Sequence, residues 1–128
     1  MTNYVIDSWA WIEYLTDSEK ARKVESYIQN EENVLYTNAI TLAEVISKVQ
    51  RNHNDAEIAY RVITSLSIIY SGNEVFCKEV GLVHAEQRKK NGKFSLADAF
   101  ILMTARTLKA KILTADNDFR GMKEALFL

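Results

Sequence analysis

Lys111-Ile112-Leu113-Thr114-Ala115-Asp116 and, far upstream, Asn3-Tyr4-Val5-Ile6-Asp7 are the two stretches that decide the fold of this chain. Each is a short apolar run with β-branched residues, typical of a buried strand, and each is followed by an acid. In an open parallel sheet, the carboxyl ends of the strands border the crevice where ligands bind. We therefore expect Asp7 and Asp116 to lie at one edge of such a sheet.

The sequence between these stretches alternates between strand-like and helix-like patterns. Apolar β-branched runs predict further strands at Asn33–Thr37 and Leu66–Tyr70, and a short edge strand at Ala125–Leu128. Thr16-Asp17-Ser18-Glu19 has the pattern of a capping box, and Ser95 is placed to cap a later helix. Strands separated by helix-length segments form right-handed βαβ crossovers. These patterns predict a three-layer α/β/α sandwich with a central parallel sheet.

Composition favours a single domain over residues 1–128. The chain has 48% hydrophobic residues, which is enough for one core, and contains no proline or linker-like tract. Sixteen Lys/Arg against seventeen Asp/Glu give a net charge of −1, so any polyanion must be held locally. No signal-peptide pattern or membrane-length apolar run is present, and we expect a soluble, cytoplasmic protein. The single cysteine, Cys77, excludes an internal disulfide, and we expect it to be buried on a helix.

Two further acids occupy apolar helical patterns. Glu44 lies within Ala39–Ile46, and Asp98 lies within Leu96–Met103. Because both patterns are apolar on nearly every side, neither acid has an obvious solvent face, and a buried unpaired charge is costly. Four acids with no basic residue beside them in sequence form the kind of set that Mg2+ or Mn2+ neutralises.

Each acid also has a purely structural interpretation. Asp7 is placed to cap the helix that follows it, and Asp116 fits a turn or cap. Glu44 has Lys48 one helical turn away as a partner for an ion pair. Asp98 has no such neighbour, because Phe94 and Leu102 occupy its i−4 and i+4 positions. The functional interpretation depends on all four acids together.

The chain resembles the PIN domain family in four segments that occur in order. These are the apolar strand ending in Asp7-Ser8, then Ile40-Thr41-Leu42-Ala43-Glu44, Ser95-Leu96-Ala97-Asp98-Ala99 and Ile112-Leu113-Thr114-Ala115-Asp116-Asn117-Asp118-Phe119. In length and order of motifs it is similar to the VapC-type toxins of prokaryotic toxin–antitoxin pairs. No single motif is specific, but the ordered set covers nearly the whole chain.

The resemblance implies a PIN-like fold and a Mg2+- or Mn2+-dependent ribonuclease, usually a homodimer. It also implies inhibition by a small antitoxin that inserts a basic residue among the acids. The family's acids fall on Asp7, Glu44, Asp98 and Asp116, and Asp118 matches an additional acid that some members use. Thr114 matches a hydroxyl residue beside the last acid, and Ser8 follows the first. The family also includes RNA-processing nucleases and inactive scaffolds, which stay open as alternatives.

The chemistry can also be argued from the residues. Phosphodiester hydrolysis needs an activated water and neutralisation of the phosphoryl oxygens, and a divalent cation supplies both. Arg88, Lys89, Lys90 and Lys93 precede the Asp98 helix and are candidates for RNA binding, although a solvated helix end explains them equally well. A receiver domain is disfavoured because no acceptor Asp follows the third strand. A haloacid-dehalogenase-type phosphatase is disfavoured because Trp9 stands where it needs an Asp two residues after Asp7. No glycine-rich phosphate loop is present.

Aromatic and apolar residues suggest two further contact surfaces. Trp9, Trp11 and Tyr14 follow Asp7 and are candidates for base stacking or a partner groove, with core packing as the alternative. A stripe in the middle of the chain predicts a homodimer surface, unless the same residues are core. Its members are Ile58, Tyr60, Val62, Ile63, Leu66 and Tyr70.

Overall fold

Five parallel strands form the centre of the molecule, in the order β3-β2-β1-β4-β5. The computed structural model describes residues 1–128. The strands are β1 Thr2–Ile6, β2 Asn33–Asn38, β3 Ile68–Tyr70, β4 Lys111–Thr114 and β5 Ala125–Phe127. The helices are α1 Ser8–Thr16, α2 Ala21–Ile28, α3 Ala39–Arg51, α4 Ala56–Leu66, α5 Glu74–Lys90 and α6 Leu96–Leu108, with a 3-10 turn at Asn117–Phe119.

Helices cover both faces of the sheet, which confirms the predicted α/β/α sandwich. Val5 and Ile112 point to one face, where they pack with apolar residues of α5 and α6. Ile6 and Leu113 point to the other face and pack with α1, α2, α3 and α4. Successive strand residues thus enter opposite cores, as the two-residue period of a strand requires. None of the helices is long and apolar enough to cross a membrane.

The strand order places a topological switch between β1 and β4. From β1 the chain builds the sheet on one side through β2 and β3, and it then returns to the other side of β1 through β4 and β5. Ile6 pairs with Leu113, so the two strands end at the same level. A crevice forms at such a switch because the connections leave the two strand ends in opposite directions. The first residues beyond the strands therefore face this crevice.

Two local predictions differ from the structure. The capping box at Thr16–Glu19 is wrong: Thr16 is the last residue of α1, and its hydroxyl donates to the Ile12 carbonyl at 2.8 Å. Asp17 then adopts a left-handed conformation, and α2 begins only at Ala21 without a side-chain cap. The third strand is shorter than predicted, because Leu66 still belongs to α4 and Ser67 ends that helix.

The apolar stripe in the middle of the chain divides between core and surface. Ile63 is fully buried, whereas Val62 and Tyr70 are half-buried. Ile58, Tyr60 and Leu66 are exposed. Part of the stripe is therefore core, and the homodimer stays a prediction that rests on the exposed part. The predicted burial of Cys77 is wrong, since this residue is exposed on α5.

Candidate functional site

Asp7 is held rigidly at the end of β1. It is the N-cap of α1, and its Oδ1 accepts the Ser8 backbone N–H at 2.7 Å. Its Oδ2 accepts the Thr114 hydroxyl at 2.7 Å, and that hydroxyl oxygen in turn accepts the Asp116 backbone N–H at 2.9 Å. Only 3% of Asp7 is exposed. Asp7 thus has the capping role that the sequence allowed, and Thr114 links it to the loop that carries Asp116.

Asp98 also has a structural role that the sequence analysis missed. It lies in the first turn of α6, where Ser95 and Asp98 form a reciprocal capping box. The Ser95 hydroxyl accepts the Asp98 backbone N–H at 3.0 Å, and Asp98 Oδ2 accepts the Ser95 backbone N–H at 2.9 Å. The Ser-x-x-Asp spacing was the available signal. Capping fixes the carboxylate and leaves its second oxygen for another partner.

Asp116 and Asp118 are fixed by the turn after β4. Asp116 caps the 3-10 turn, since its Oδ1 accepts the Asp118 backbone N–H at 2.9 Å. Asp118 Oδ1 accepts the side-chain amide of Asn91 at 2.9 Å. Asn91 follows α5 and was not singled out in the sequence. Its bond brings the loop between α5 and α6 against the acids.

Three of the acids form a compact set of oxygen donors. One carboxylate oxygen each from Asp98, Asp116 and Asp118 lies within 4.8 Å of the others. Two ligands of one Mg2+ or Mn2+ ion lie at most roughly 4 to 5 Å apart, so this spacing is close to what a shared ion requires. The ion pairs of the protein involve other acids, namely Glu57, Glu86 and Glu124. The donor chemistry and the uncompensated charge therefore fit a hard divalent cation.

Glu44 is placed differently from the expectation. It is exposed on α3, beside the buried Val45, so the expected lack of a solvent face is wrong. The apolar pattern was misleading because Ile40 and Ala43 share the exposed side. The ion pair with Lys48 that the sequence allowed is not formed. Glu44 nevertheless lines a cavity of about 250 Å3 together with Asp7 and Asp116.

The electrostatics connect Asp7 and Glu44 to the three clustered acids. Burial raises the pKa of Asp7 to about 6, and the charges of Asp116 and Asp98 add to this rise, although hydrogen bonds oppose it. Burial also raises the pKa of Asp98, with Asp116 and Asp118 contributing repulsion. Partial burial and the charge of Asp98 raise the pKa of Glu44. The five acids therefore lie in one region of negative electrostatic potential, which favours a bound cation or proton.

The predicted RNA-binding residues flank Asn91, which bonds to Asp118, and they lie outside the cavity that Glu44 lines. Arg88, Lys89 and Lys90 form the last turn of α5, and Lys93 follows Asn91 in the loop. Lys89 pairs with Glu86 at 3.1 Å, and Arg88 donates to the Phe94 carbonyl at 3.5 Å.

The three aromatic residues after Asp7 have different environments. Trp11 is fully buried and donates its indole N–H to Thr37 Oγ1 at 3.0 Å, which confirms the core interpretation for this residue. Tyr14 is half-buried and packs edge-on against Trp11. Trp9 is half-buried and lines the cavity with Asp7 and Glu44. Of the three, only Trp9 lines the cavity that contains the acids.

Comparison with known proteins identifies the family. The model of the PIN domain matches residues 4–125, and the chain therefore belongs to the PIN domain family. No curated protein matches the chain.

Solved structures share the fold across nearly the whole chain. A toxin–antitoxin complex from Klebsiella pneumoniae is 21% identical, covers 96% of this chain and 95% of that chain, and has a TM-score of 0.74. VapC20 of Mycobacterium tuberculosis, described as a sarcin–ricin loop cleaving toxin, is 16% identical. The match covers 94% of this chain and 95% of that chain, with a TM-score of 0.72. VapBC-1 of nontypeable Haemophilus influenzae is 23% identical with 99% and 97% covered and a TM-score of 0.71. At these identities the similarity establishes the fold.

The raised pKa of Asp7 predicts a specific pH dependence of stability. The unfolded chain releases this proton near the ordinary aspartate pKa of 3.8, whereas burial in the folded protein raises this pKa to about 6. Because the folded state binds more protons in this window, the free energy of unfolding falls as pH rises through it, and the loss is complete above pH 6. Asp7→Asn removes the effect. Without divalent metal, the variant should gain stability relative to the wild type between pH 4 and pH 7, by up to about 3 kcal/mol.

Urea unfolding in EDTA at several pH values measures this difference. Glu31→Gln, which removes one exposed charge from the turn before β2, corrects for the change in net charge. A difference between Asp7→Asn and the wild type that stays constant from pH 4 to pH 7 contradicts the prediction.

Proposed function

We propose that this protein is a divalent-metal-dependent endoribonuclease and the toxin of a type II toxin–antitoxin pair. The observation that carries the proposal is the convergence of Asp98, Asp116 and Asp118, with oxygens within 4.8 Å, at the topological switch of a PIN domain. Such a site has the charge and the donor atoms for a hard cation and none of the ion pairs that would make the acids merely structural.

Asp98, Asp116 and Asp118 would hold the Mg2+ or Mn2+ ion, with Asp7 and Glu44 completing the acidic set. When bound, the cation lowers the pKa of water and neutralises charge that develops on the phosphoryl oxygens. The Thr114 hydroxyl and the Ser8 backbone N–H hold the two oxygens of Asp7 in a fixed orientation. The Ser95 N–H does the same for Asp98. This preorganisation keeps the acids together despite their repulsion.

Hydrolysis by water with the 3′-oxygen as the leaving group gives a 5′-phosphate and a 3′-hydroxyl, and the neighbouring 2′-hydroxyl takes no part. Both histidines occupy other places in the molecule. The ring of His84 contacts the Phe94 carbonyl at 3.2 Å, and His53 is exposed in the turn after α3. Their positions favour water attack supported by the acids over acid–base catalysis by histidine.

The substrate is proposed to be RNA, held in part by Arg88, Lys89, Lys90 and Lys93. The bond between Asn91 and Asp118 supports this assignment, because it brings the loop between α5 and α6 beside the acids. Phosphate contacts from such cations hold the strand in position without reading its sequence. The description of VapC20 as a sarcin–ricin loop cleaving toxin also favours RNA.

An inactive scaffold is the alternative that one observation favours. Asp7 and Asp98 both cap helices, so their acidity has a structural use apart from catalysis. Such a scaffold, or an RNA-processing enzyme that is not a toxin, would keep the same fold.

Cleavage of single-stranded RNA should require Mg2+ or Mn2+ and should stop in EDTA. Asp98→Asn and Asp116→Asn should each slow cleavage by about 100-fold or more, a loss of roughly 3 kcal/mol in transition-state stabilisation. Asp118→Asn is expected to be less damaging, because Asp118 lies further from the end of β4 than Asp116 does. Asn at position 98 can still accept the Ser95 N–H, so the capping box and the fold should survive.

Glu57→Gln is the control for these assays, because Glu57 is exposed on α4 and pairs only with Arg61. It should retain wild-type activity. Full activity of Asp98→Asn, or cleavage that continues in EDTA, would sink the assignment of the metal site. The ranking of Asp116 above Asp118 is wrong if Asp118→Asn cleaves RNA more slowly than Asp116→Asn does.

The proposed protein partner is a small antitoxin that inserts a basic residue, most simply arginine, among the acids. A guanidinium binds carboxylates through two parallel hydrogen bonds and would compete with the cation. The solved complexes from Klebsiella pneumoniae and Haemophilus influenzae, each similar in fold, favour such a partner. Tyr14 and the exposed Ile58 line a second cavity, of about 300 Å3, that offers an apolar anchor point.

Co-expression with the neighbouring gene, followed by affinity purification of this chain, tests the partner. We expect a small protein to co-purify and to suppress metal-dependent cleavage. Recovery of the chain alone, with no toxicity when it is expressed by itself, contradicts the toxin proposal and leaves the alternatives above.

A further inference from the structure

One face of α3 combines acidic and basic residues at the catalytic crevice. Glu44, Lys48 and Arg51 are spaced four and three residues apart, so they share a face of the helix. All three line the 250 Å3 cavity that also contains Asp7 and Asp116. From the sequence, Lys48 was considered only as a partner for Glu44, and Arg51 was not singled out. The two cations therefore border the same space as the acids.

Neither cation is neutralised by an acid of the protein. The three ion pairs are Arg61–Glu57, Lys89–Glu86 and Arg106–Glu124, and none involves α3. Arg51 Nε donates only to Ser47 Oγ, at a long 3.4 Å. Glu13, the other acid in the cavity, accepts a hydrogen bond from the Ser18 hydroxyl. Lys48 and Arg51 thus keep their donors available for an anion that enters the cavity.

The positions of Lys48 and Arg51 along α3 suit a nucleic-acid strand that continues past the site of cleavage. With a rise of 1.5 Å per residue, Lys48 lies about 6 Å and Arg51 about 10 Å along the helix axis from Glu44. These distances increase from Lys48 to Arg51, so the two cations lie in series along α3. They suit the next phosphates of a nucleic-acid strand.

Two basic segments approach the acids from opposite faces of the sheet. They are α3, with Lys48 and Arg51, and the end of α5 with the loop that follows it. Val45 and Val49 anchor α3 in the core on one face. Phe76 and Val80 anchor α5 in the core on the other face, and the loop after α5 contacts Asp118 through Asn91. The acids lie between these segments, at the edge of the sheet where the strands end. An RNA strand that contacts both basic segments must therefore cross the acidic centre.

We propose that Lys48 and Arg51 bind the phosphates of single-stranded RNA on one side of the cleaved bond. The loop between α5 and α6 binds the strand on the other side. Arg51 offers a planar fork for one phosphate, and Lys48 offers a mobile point charge for the phosphate nearer the acids. This arrangement rests on the proposed ribonuclease function. It explains how a protein with a net charge of −1 holds a polyanion beside five acids.

The test is the salt dependence of RNA binding in the double variant Lys48→Gln/Arg51→Gln. Binding of a fluorescent single-stranded RNA is followed by anisotropy in EDTA between 50 and 200 mM KCl. The slope of log K against log salt changes by about 0.7 for each phosphate contact on a single strand, so the variant should lose about 1.4 from its magnitude. The affinity should fall by about tenfold or more, and KM for metal-dependent cleavage should rise more than kcat falls.

Arg22→Gln/Lys23→Gln is the matched control. It removes the same two residue types, and the same charge, from exposed positions on α2. We expect its slope to equal that of the wild type. Both double variants change exposed residues, and their melting temperatures verify that the fold is intact.

The outcomes separate this inference from the function on which it rests. If the wild type cleaves RNA with metal, but the α3 variant matches the α2 control in slope, affinity and KM, the inference is overturned and the ribonuclease proposal stands. If the wild type neither binds nor cleaves RNA, both fail. If the α3 variant binds RNA normally but no longer binds an acidic segment of a partner protein, this face of α3 serves a protein partner and the inference is likewise overturned.

Discussion

The hydrogen bond from the Thr114 hydroxyl to Asp7 is the interaction on which the arrangement of the acids depends. It joins the ends of β1 and β4, which the pairing of Ile6 with Leu113 already places at the same level. The same hydroxyl oxygen accepts the Asp116 N–H, so one side chain fixes both the first acid and the loop that carries the last two. The bond is buried, and a buried hydrogen bond to a charged acceptor is among the stronger ones in a protein.

This arrangement has an electrostatic cost that the fold must offset. Burial raises the pKa of Asp7 to about 6, and burial together with the neighbouring acids also raises the pKa of Asp98. Backbone N–H groups of Ser8 and Ser95 partly compensate, since each donates to one of these carboxylates. Two apolar cores hold the strands and helices that carry the acids. The folded chain thus maintains a cluster that repels itself until a cation or a proton arrives, a common compromise between stability and function.

Much of the fold followed from local patterns in the sequence. Short apolar runs identified the strands, and Ser95 identified the start of α6, because both signals depend on residues close together in the chain. The acids at the ends of β1 and β4 were also predictable, since parallel strands bring their carboxyl ends to one edge. The capping box at Thr16 failed because α1 continues through that residue, and a local motif does not reveal how far the preceding helix extends.

The missed features of the site depend on contacts between distant segments. Asn91 and Asp118 are 27 residues apart, and only the folded chain brings the loop before α6 to the turn after β4. The exposure of Glu44 was missed because an apolar sequence does not show which side of a helix is left uncovered. The same uncertainty concealed Lys48 and Arg51, which became candidates only when α3 was seen to border the cavity. The environment of Trp11 also depends on a distant contact, since the buried Thr37 that accepts its indole N–H is 26 residues away.

We propose that the acids form a binding site for one or more divalent cations. Anomalous diffraction from crystals soaked in Mn2+ tests it directly, because the signal identifies the metal and its position together. We predict an anomalous peak among Asp98, Asp116 and Asp118, within coordination distance of at least two of their carboxylates. Mn2+ that binds only elsewhere on the protein, or no peak at a concentration that supports cleavage, would contradict it.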